Sequence, residues 1–131
     1  MAGQHLRRRL WLWTPPIIYM IAIFHFSSES RPLPALTEHV WDKLLHTVEY
    51  GGLGFLLARA FRGEGVRWLP ALLLAMAETS LYGASDEWHQ MFVPVRSSDI
   101  QDWIGDTIGG TLGAAAYTAV ALLSSTRERS G

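Results

Sequence analysis

Residues 44–61 read Leu-Leu-His-Thr-Val-Glu-Tyr-Gly-Gly-Leu-Gly-Phe-Leu-Leu-Ala-Arg-Ala-Phe, an apolar run interrupted in its first half by His46, Glu49 and Tyr50. Those three stand at i, i+3 and i+4, so on a helix they share one face. A carboxylate within a bilayer costs at least roughly 2.5 kcal/mol, and such groups face a bundle interior, a partner or a water-filled cavity. Glu49 therefore predicts a helix that crosses a membrane with a polar face turned inward.

Three more apolar segments flank this one, at about Leu10 to Phe26, Trp68 to Tyr82 and Trp103 to Leu123. Each approaches the ~17 to 25 residues that cross a hydrocarbon core as helix, the second and third of the four only by including polar residues. Hydrophobic residues make up 49% of the chain and charged ones 18%, below the roughly 25% charged content of soluble domains. The expected fold is all-α: one domain over residues 1–131, a polytopic membrane bundle of four transmembrane helices.

Orientation follows from the basic residues, which are enriched in cytoplasmic loops. Arg7, Arg8, Arg9, Arg59, Arg62, Arg67, Arg127 and Arg129 fall on one side, Arg31, Lys43 and Arg96 on the other. Both termini are thereby expected in the cytoplasm, and the protein in the cytoplasmic membrane as a multi-pass protein. Tryptophan agrees, since indoles favour the headgroup layer: Trp11, Trp13 and Trp68 belong to one face, Trp41, Trp88 and Trp103 to the other. Arg7 to Arg9 before an apolar stretch resembles a secretory signal. No small-residue cleavage site follows, so the segment is read as an uncleaved first helix with Pro15 and Pro16 in its first turns.

The chain has no cysteine, which removes disulfides and thiolate chemistry. It carries no phosphate-binding Gly-rich loop and no nucleophile elbow. Its basic clusters are explained by topology, so no nucleic-acid partner is expected; the lipid bilayer is the expected surrounding. The longer connections, near residues 27–42 and 84–101, lie on the outer side, while Arg62 to Arg67 closes a short inner hairpin. Glu78 with Tyr82, and Asp102 with Asp106, repeat the i, i+4 spacing on the third and fourth helices. Helix directions stack all these polar faces, with those of the second helix, in the outer half. Gly105, Gly109 and Gly113 let another helix approach closely, within the monomer or across a homo-oligomer. The internal contact is favoured because Asp102 and Asp106 share that face.

Taken in order, Asp42-Lys43 with His46, Glu49 and Tyr50, then Ser85-Asp86-Glu87 with Gln90, then Phe92-Val93-Pro94 with Arg96, then Asp102 and the Gly109/Gly110/Gly113 run resemble the VanZ-like membrane proteins. The resemblance covers about residues 40–115. Val95 stands where that family usually has Gly, and Asp106 where Asn is frequent. The resemblance implies a small bundle of about four spans in the bacterial cell envelope and a link to glycopeptide (teicoplanin) resistance.

Glu49, Asp86, Glu87 and Asp102 are the candidate acid, base or ligand groups, because neighbouring carboxylates in low dielectric hold different protonation states. His46, Tyr50, Gln90, Asp106, Lys43 and Arg96 are the candidate binding residues, Arg96 as an anion clamp. The same charges also suit a purely structural ion-pair network, with Lys43 and Arg96 neutralising Asp86, Glu87 or Asp102. His46, Glu49, Glu87 and His89 lack a diagnostic metal spacing, so neither metal nor cofactor is assigned. Three functions fit: binding or modifying a lipid-linked or anionic head group, a non-catalytic membrane scaffold, and a small proton-coupled transporter relaying through Glu49 and Glu78.

Overall fold

The computed structural model describes residues 1–28, 39–93 and 100–131, with the side chains of 28 and 39–43 left aside. They form four helices: α1 (Ala2–Ser28), α2 (His39–Gly63), α3 (Trp68–Gln90) and α4 (Ile100–Ser130). No strand occurs among the described residues, as the all-α expectation requires. By length and composition α1 and α4 are long and apolar enough to cross a membrane.

Each helix is longer than its apolar segment, and two expectations change with that. α1 begins at Ala2, so Pro15 and Pro16 lie in mid-helix and not in its first turns. Proline has no N–H for the carbonyl four residues back, which for Pro15 is that of Trp11. Arg59 of α2 donates to the Trp11 carbonyl at 3.4 Å, supplying the missing partner from a neighbouring helix. α3 likewise continues through Ala84 to Gln90, where an outer loop was expected. The polar run Ser85 to Gln90 is itself helical, and Met91 caps the helix after it.

The α2–α3 hairpin has the expected short turn. Gly65 takes φ +94°, and the amides of Gly65 and Val66 bond back to the carbonyls of Arg62 and Phe61. This paired closure satisfies the last carbonyls of α2 and needs a left-handed residue that glycine adopts without strain.

α2 and α4 make the most extensive helix contact, with α3 packed on both and α1 against α2 and α3. Glycine permits the approach. A Cβ on Gly109 would strike the Thr47 carbonyl, one on Gly113 the Gly51 carbonyl, and one on Gly54 the Gly110 carbonyl. The expected internal use of the glycine face therefore holds for Gly109 and Gly113, while Gly105 sits looser, where a Cβ would lie 3.7 Å from Thr47 Oγ1. Tyr50, Leu53, Leu57, Ala75 and Ala114 fill the centre with Ile23 of α1. Outside, Ile17, Ile18 and Ile21 of α1, Leu73 and Leu81 of α3, and Ile108 and Leu112 of α4 are exposed. Helix contacts made through glycine and alanine, with polar side chains buried and many large apolar ones exposed, are the arrangement expected of helices packed in lipid.

The two ends of the bundle differ. At one, Arg9 pairs with Glu64 at 3.3 Å, Trp13 donates its indole N–H to Glu64 at 3.0 Å, and Arg62 lies over the Trp68 ring at 3.8 Å. Trp11 belongs to this end and Trp88 and Trp103 to the other, matching the grouping read from sequence; Trp41 lies outside the described side chains.

Candidate functional site

The buried positions of α3 are Ala71, Ala75, Thr79, Gly83, Asp86, Glu87 and Gln90, a helical stripe that changes from small to strongly polar toward its C-terminus. On α4 the stripe runs the other way in sequence, from Asp106 through Gly109 and Gly110 to Gly113 and Ala114. On α2, His46 and Tyr50 precede Leu53 and Leu57. Three helices thus bring their polar ends to one level.

There, His46 Nδ1 lies 3.1 Å from Asp106 Oδ1, and the Tyr50 hydroxyl donates to Asp86 Oδ2 at 3.2 Å. The His46 and Tyr50 rings are nearly parallel, 6.4 Å apart on successive turns. Asp106, His46, Tyr50 and Asp86 therefore form a polar string across α4, α2 and α3. It is well enclosed: Asp106 is 0% exposed, Asp86 4%, Glu87 5% and His46 7%. The charges of Asp86 and Asp102 reach Asp106, and that of Glu49 reaches Tyr19, Tyr50 and Tyr82.

Each of the two aspartates in the string has one acceptor left over. Asp86 Oδ1 and Asp106 Oδ2 are buried and have no hydrogen-bond partner among the described residues. Buried carboxylate oxygens of that kind are costly, and each calls for an explanation. A Cβ on Gly83 would lie 3.1 Å from Asp106 Oδ2, so glycine there makes the room that the aspartate occupies.

Most candidates read from sequence meet here: His46, Tyr50, Asp86 and Asp106 directly, Glu49 and Asp102 half-buried at electrostatic range, Glu87 and Gln90 buried on the adjoining face of α3. Lys43 and Arg96 fall outside the described side chains. Glu78 does not join. It is exposed on the outside of α3, and its neighbour Thr79 holds the inward position, its hydroxyl donating to the Ala75 carbonyl at 2.6 Å. The i, i+4 relation to Tyr82 gave Glu78 a face without saying which way that face turned. No three His, Asp or Glu among the described residues are grouped to hold a metal ion.

Helix α1 contributes more than a lipid-facing wall. Gln90 Nε2 donates to the buried Ser27 Oγ at 3.0 Å, and the Tyr82 hydroxyl donates to the Met20 carbonyl. Tyr19 stands where a Cβ on Gly52 would be. The signal was present in the spacing of Leu12, Pro16, Ile23 and Ser27, a single helical stripe and the buried face of α1. On the far side of α3, Ser80 and Thr107 are 3.0 Å apart, and the Trp103 indole donates to the Ser80 carbonyl at 3.0 Å. These contacts tie α4 to α3 beside the polar string.

The family model described as VanZ/LLP1 matches residues 5–123. The chain belongs to the VanZ/LLP1 family. The VanZ-like match takes in α1 and most of α4, and so runs beyond the residues 40–115 on which the resemblance was read. Family and apolar helices together suggest a membrane protein. No curated protein and no solved structure matches the chain.

Proposed function

We propose that this VanZ-family protein spans the bacterial cytoplasmic membrane four times with both termini inside, and that its polar centre receives the head group of a lipid-linked envelope component in the outer half of the bilayer. α2 and α3 have 25 and 23 residues, roughly 35 Å of helix at 1.5 Å per residue, and pack between the apolar α1 and α4. If the outer pair crosses, the inner pair crosses with it. The grouping of Arg8, Arg9, Arg59 and Arg62 at one end supports an inward orientation of that end.

The observation that carries the reading is the spare acceptor at Asp86 beside buried Glu87. His46 ties α2 to α4 through Asp106 Oδ1, and Asp106 Oδ2 is left without a described donor against Gly83. Asp86 likewise has one oxygen held by Tyr50 and one with no described donor, and so the group that completes it donates hydrogen bonds: a hydroxyl or ammonium, as on a glycosyl or amine head group. Arg96 would take the anionic part of the same molecule. Handling of such an envelope component is the property through which the family link to glycopeptide (teicoplanin) resistance would operate.

The test is mass spectrometry of lipids retained by the purified protein and by its Asp86→Asn and Glu87→Gln variants. Enrichment of one head-group class over the bulk membrane, lost in variants that unfold at the same temperature, supports the reading. A retained population that mirrors the membrane overturns it and leaves the charges a structural role.

A further inference from the structure

At the opposite end of the bundle a cleft of about 300 Å³ lies between the N-terminal part of α1 and the α2–α3 turn, lined by His5, Arg8, Arg9, Leu12, Gly63 and Glu64. We propose that it holds the phosphate of an anionic phospholipid, a second lipid site separate from the polar centre.

The lining chemistry fits a phosphate. Arg8 donates to the Gly63 carbonyl and Arg9 Nε to Glu64 Oε2, so each guanidinium is fixed by one described hydrogen bond. A guanidinium has five N–H donors in a planar fork, and the remaining ones match phosphate oxygens. Glu64, the one acid of the lining, is shared by Arg9 and the Trp13 indole. The two arginines therefore leave the cleft with an excess of positive charge, to which His5 adds a further donor.

Membrane topology accounts for arginines at this end, but a diffuse positive layer needs no cleft. Here the charged side chains border a defined space with Leu12 as its apolar wall. The outer faces of the same helix expose Leu6, Leu10, Ile17 and Ile18 as apolar surface, and Trp11 is exposed beneath Arg59 at 5.1 Å. A basic pocket between helices beside an apolar surface selects a lipid phosphate over a free one.

Native mass spectrometry of the detergent-purified full chain, titrated with phosphatidylglycerol, phosphatidylcholine or inorganic phosphate, tests this. Phosphatidylglycerol should bind in preference, and Arg8→Gln/Arg9→Gln should weaken it roughly tenfold or more. His5→Glu keeps both arginine contacts while adding negative charge to the cleft. It should weaken binding too, and it decides the matter if the double arginine variant does not fold. Arg127→Gln/Arg129→Gln removes the same charge outside the cleft and should leave binding unchanged. Equal weakening by that control, unchanged binding in His5→Glu, or displacement of phosphatidylglycerol by millimolar inorganic phosphate would each overturn the proposal.

Discussion

His46 Nδ1 and Asp106 Oδ1 stand 3.1 Å apart between α2 and α4, next to the close approach at which a Cβ on Gly109 would strike the Thr47 carbonyl. Polar pair and glycine face are one device. Thr47 follows His46, and Gly109 lies one turn after Asp106, so the backbone approach that glycine allows also sets the distance between the two side chains. Two consequences can be tested separately.

The first concerns charge. Asp106→Asn keeps an oxygen acceptor for the His46 N–H and is expected to cost no more than about 1 to 2 kcal/mol. His46→Leu leaves a fully buried carboxylate without its described partner and should cost about 3 to 5 kcal/mol. Thermal unfolding in detergent compares them. If Asp106→Asn is as damaging as His46→Leu, the negative charge itself holds the pair.

The second concerns space. Alanine at Gly113 or Gly109 puts a methyl group into a backbone carbonyl of α2, where only a shift of the helix can relieve it. Destabilisation of about 1 to 3 kcal/mol or more is expected. Gly105→Ala meets only Thr47 Oγ1 at 3.7 Å, and Gly3→Ala meets nothing within 4 Å, so both should unfold like the parent. Equal effects at Gly105 and Gly113 would mean that helix propensity, not contact, governs the series.

The all-α class and the inward face of His46 and Tyr50 were legible because periodicity and the high cost of buried charge both act locally in sequence. Inward placement of Asp106 could be read the same way, from its place on the glycine face. What could not be read was which of several polar faces turned inward. Glu78 and Asp86 lie eight residues apart on α3, roughly 80° apart around the helix, and one is exposed while the other is buried. The decision is made by Thr79 and Gly83 packing on Gly110 and Asp106, a contact between distant segments. Helix ends were missed for a related reason. Arg59 supplies the partner that Pro15 denies Trp11, and no local rule anticipates a cap donated from another helix.

Topology gives the third prediction. With α1 and α4 both apolar enough to cross and the arginines gathered at one end, a reporter fused after Gly131 should report the cytoplasm, and one inserted in the 29–38 connection the outer side. A periplasmic or extracellular signal from the C-terminal fusion would reverse the bundle. It would then place Asp86 and Glu87 in the inner half and remove the basis for an outward-facing head-group site.

The fourth prediction separates recognition from folding at Tyr50 and its neighbours. Tyr50→Phe preserves the ring that fills the core and removes the hydroxyl that holds Asp86 Oδ2 at 3.2 Å. Asp86 then has neither oxygen bonded among the described residues, and its side chain is free to turn. If Asp86 serves mainly to tie α3 to α2, Tyr50→Phe should lower protein level and unfolding temperature together, by about 1 to 3 kcal/mol for the unsatisfied acceptor. If Asp86 and Glu87 receive a head group, Glu87→Gln should abolish lipid selectivity and any teicoplanin phenotype with protein level near normal. Tyr50→Phe should then weaken selectivity more than stability, because the hydroxyl it removes orients the carboxylate that receives the head group. Loss of protein in step with loss of phenotype for both variants would assign these groups to the structure of the bundle.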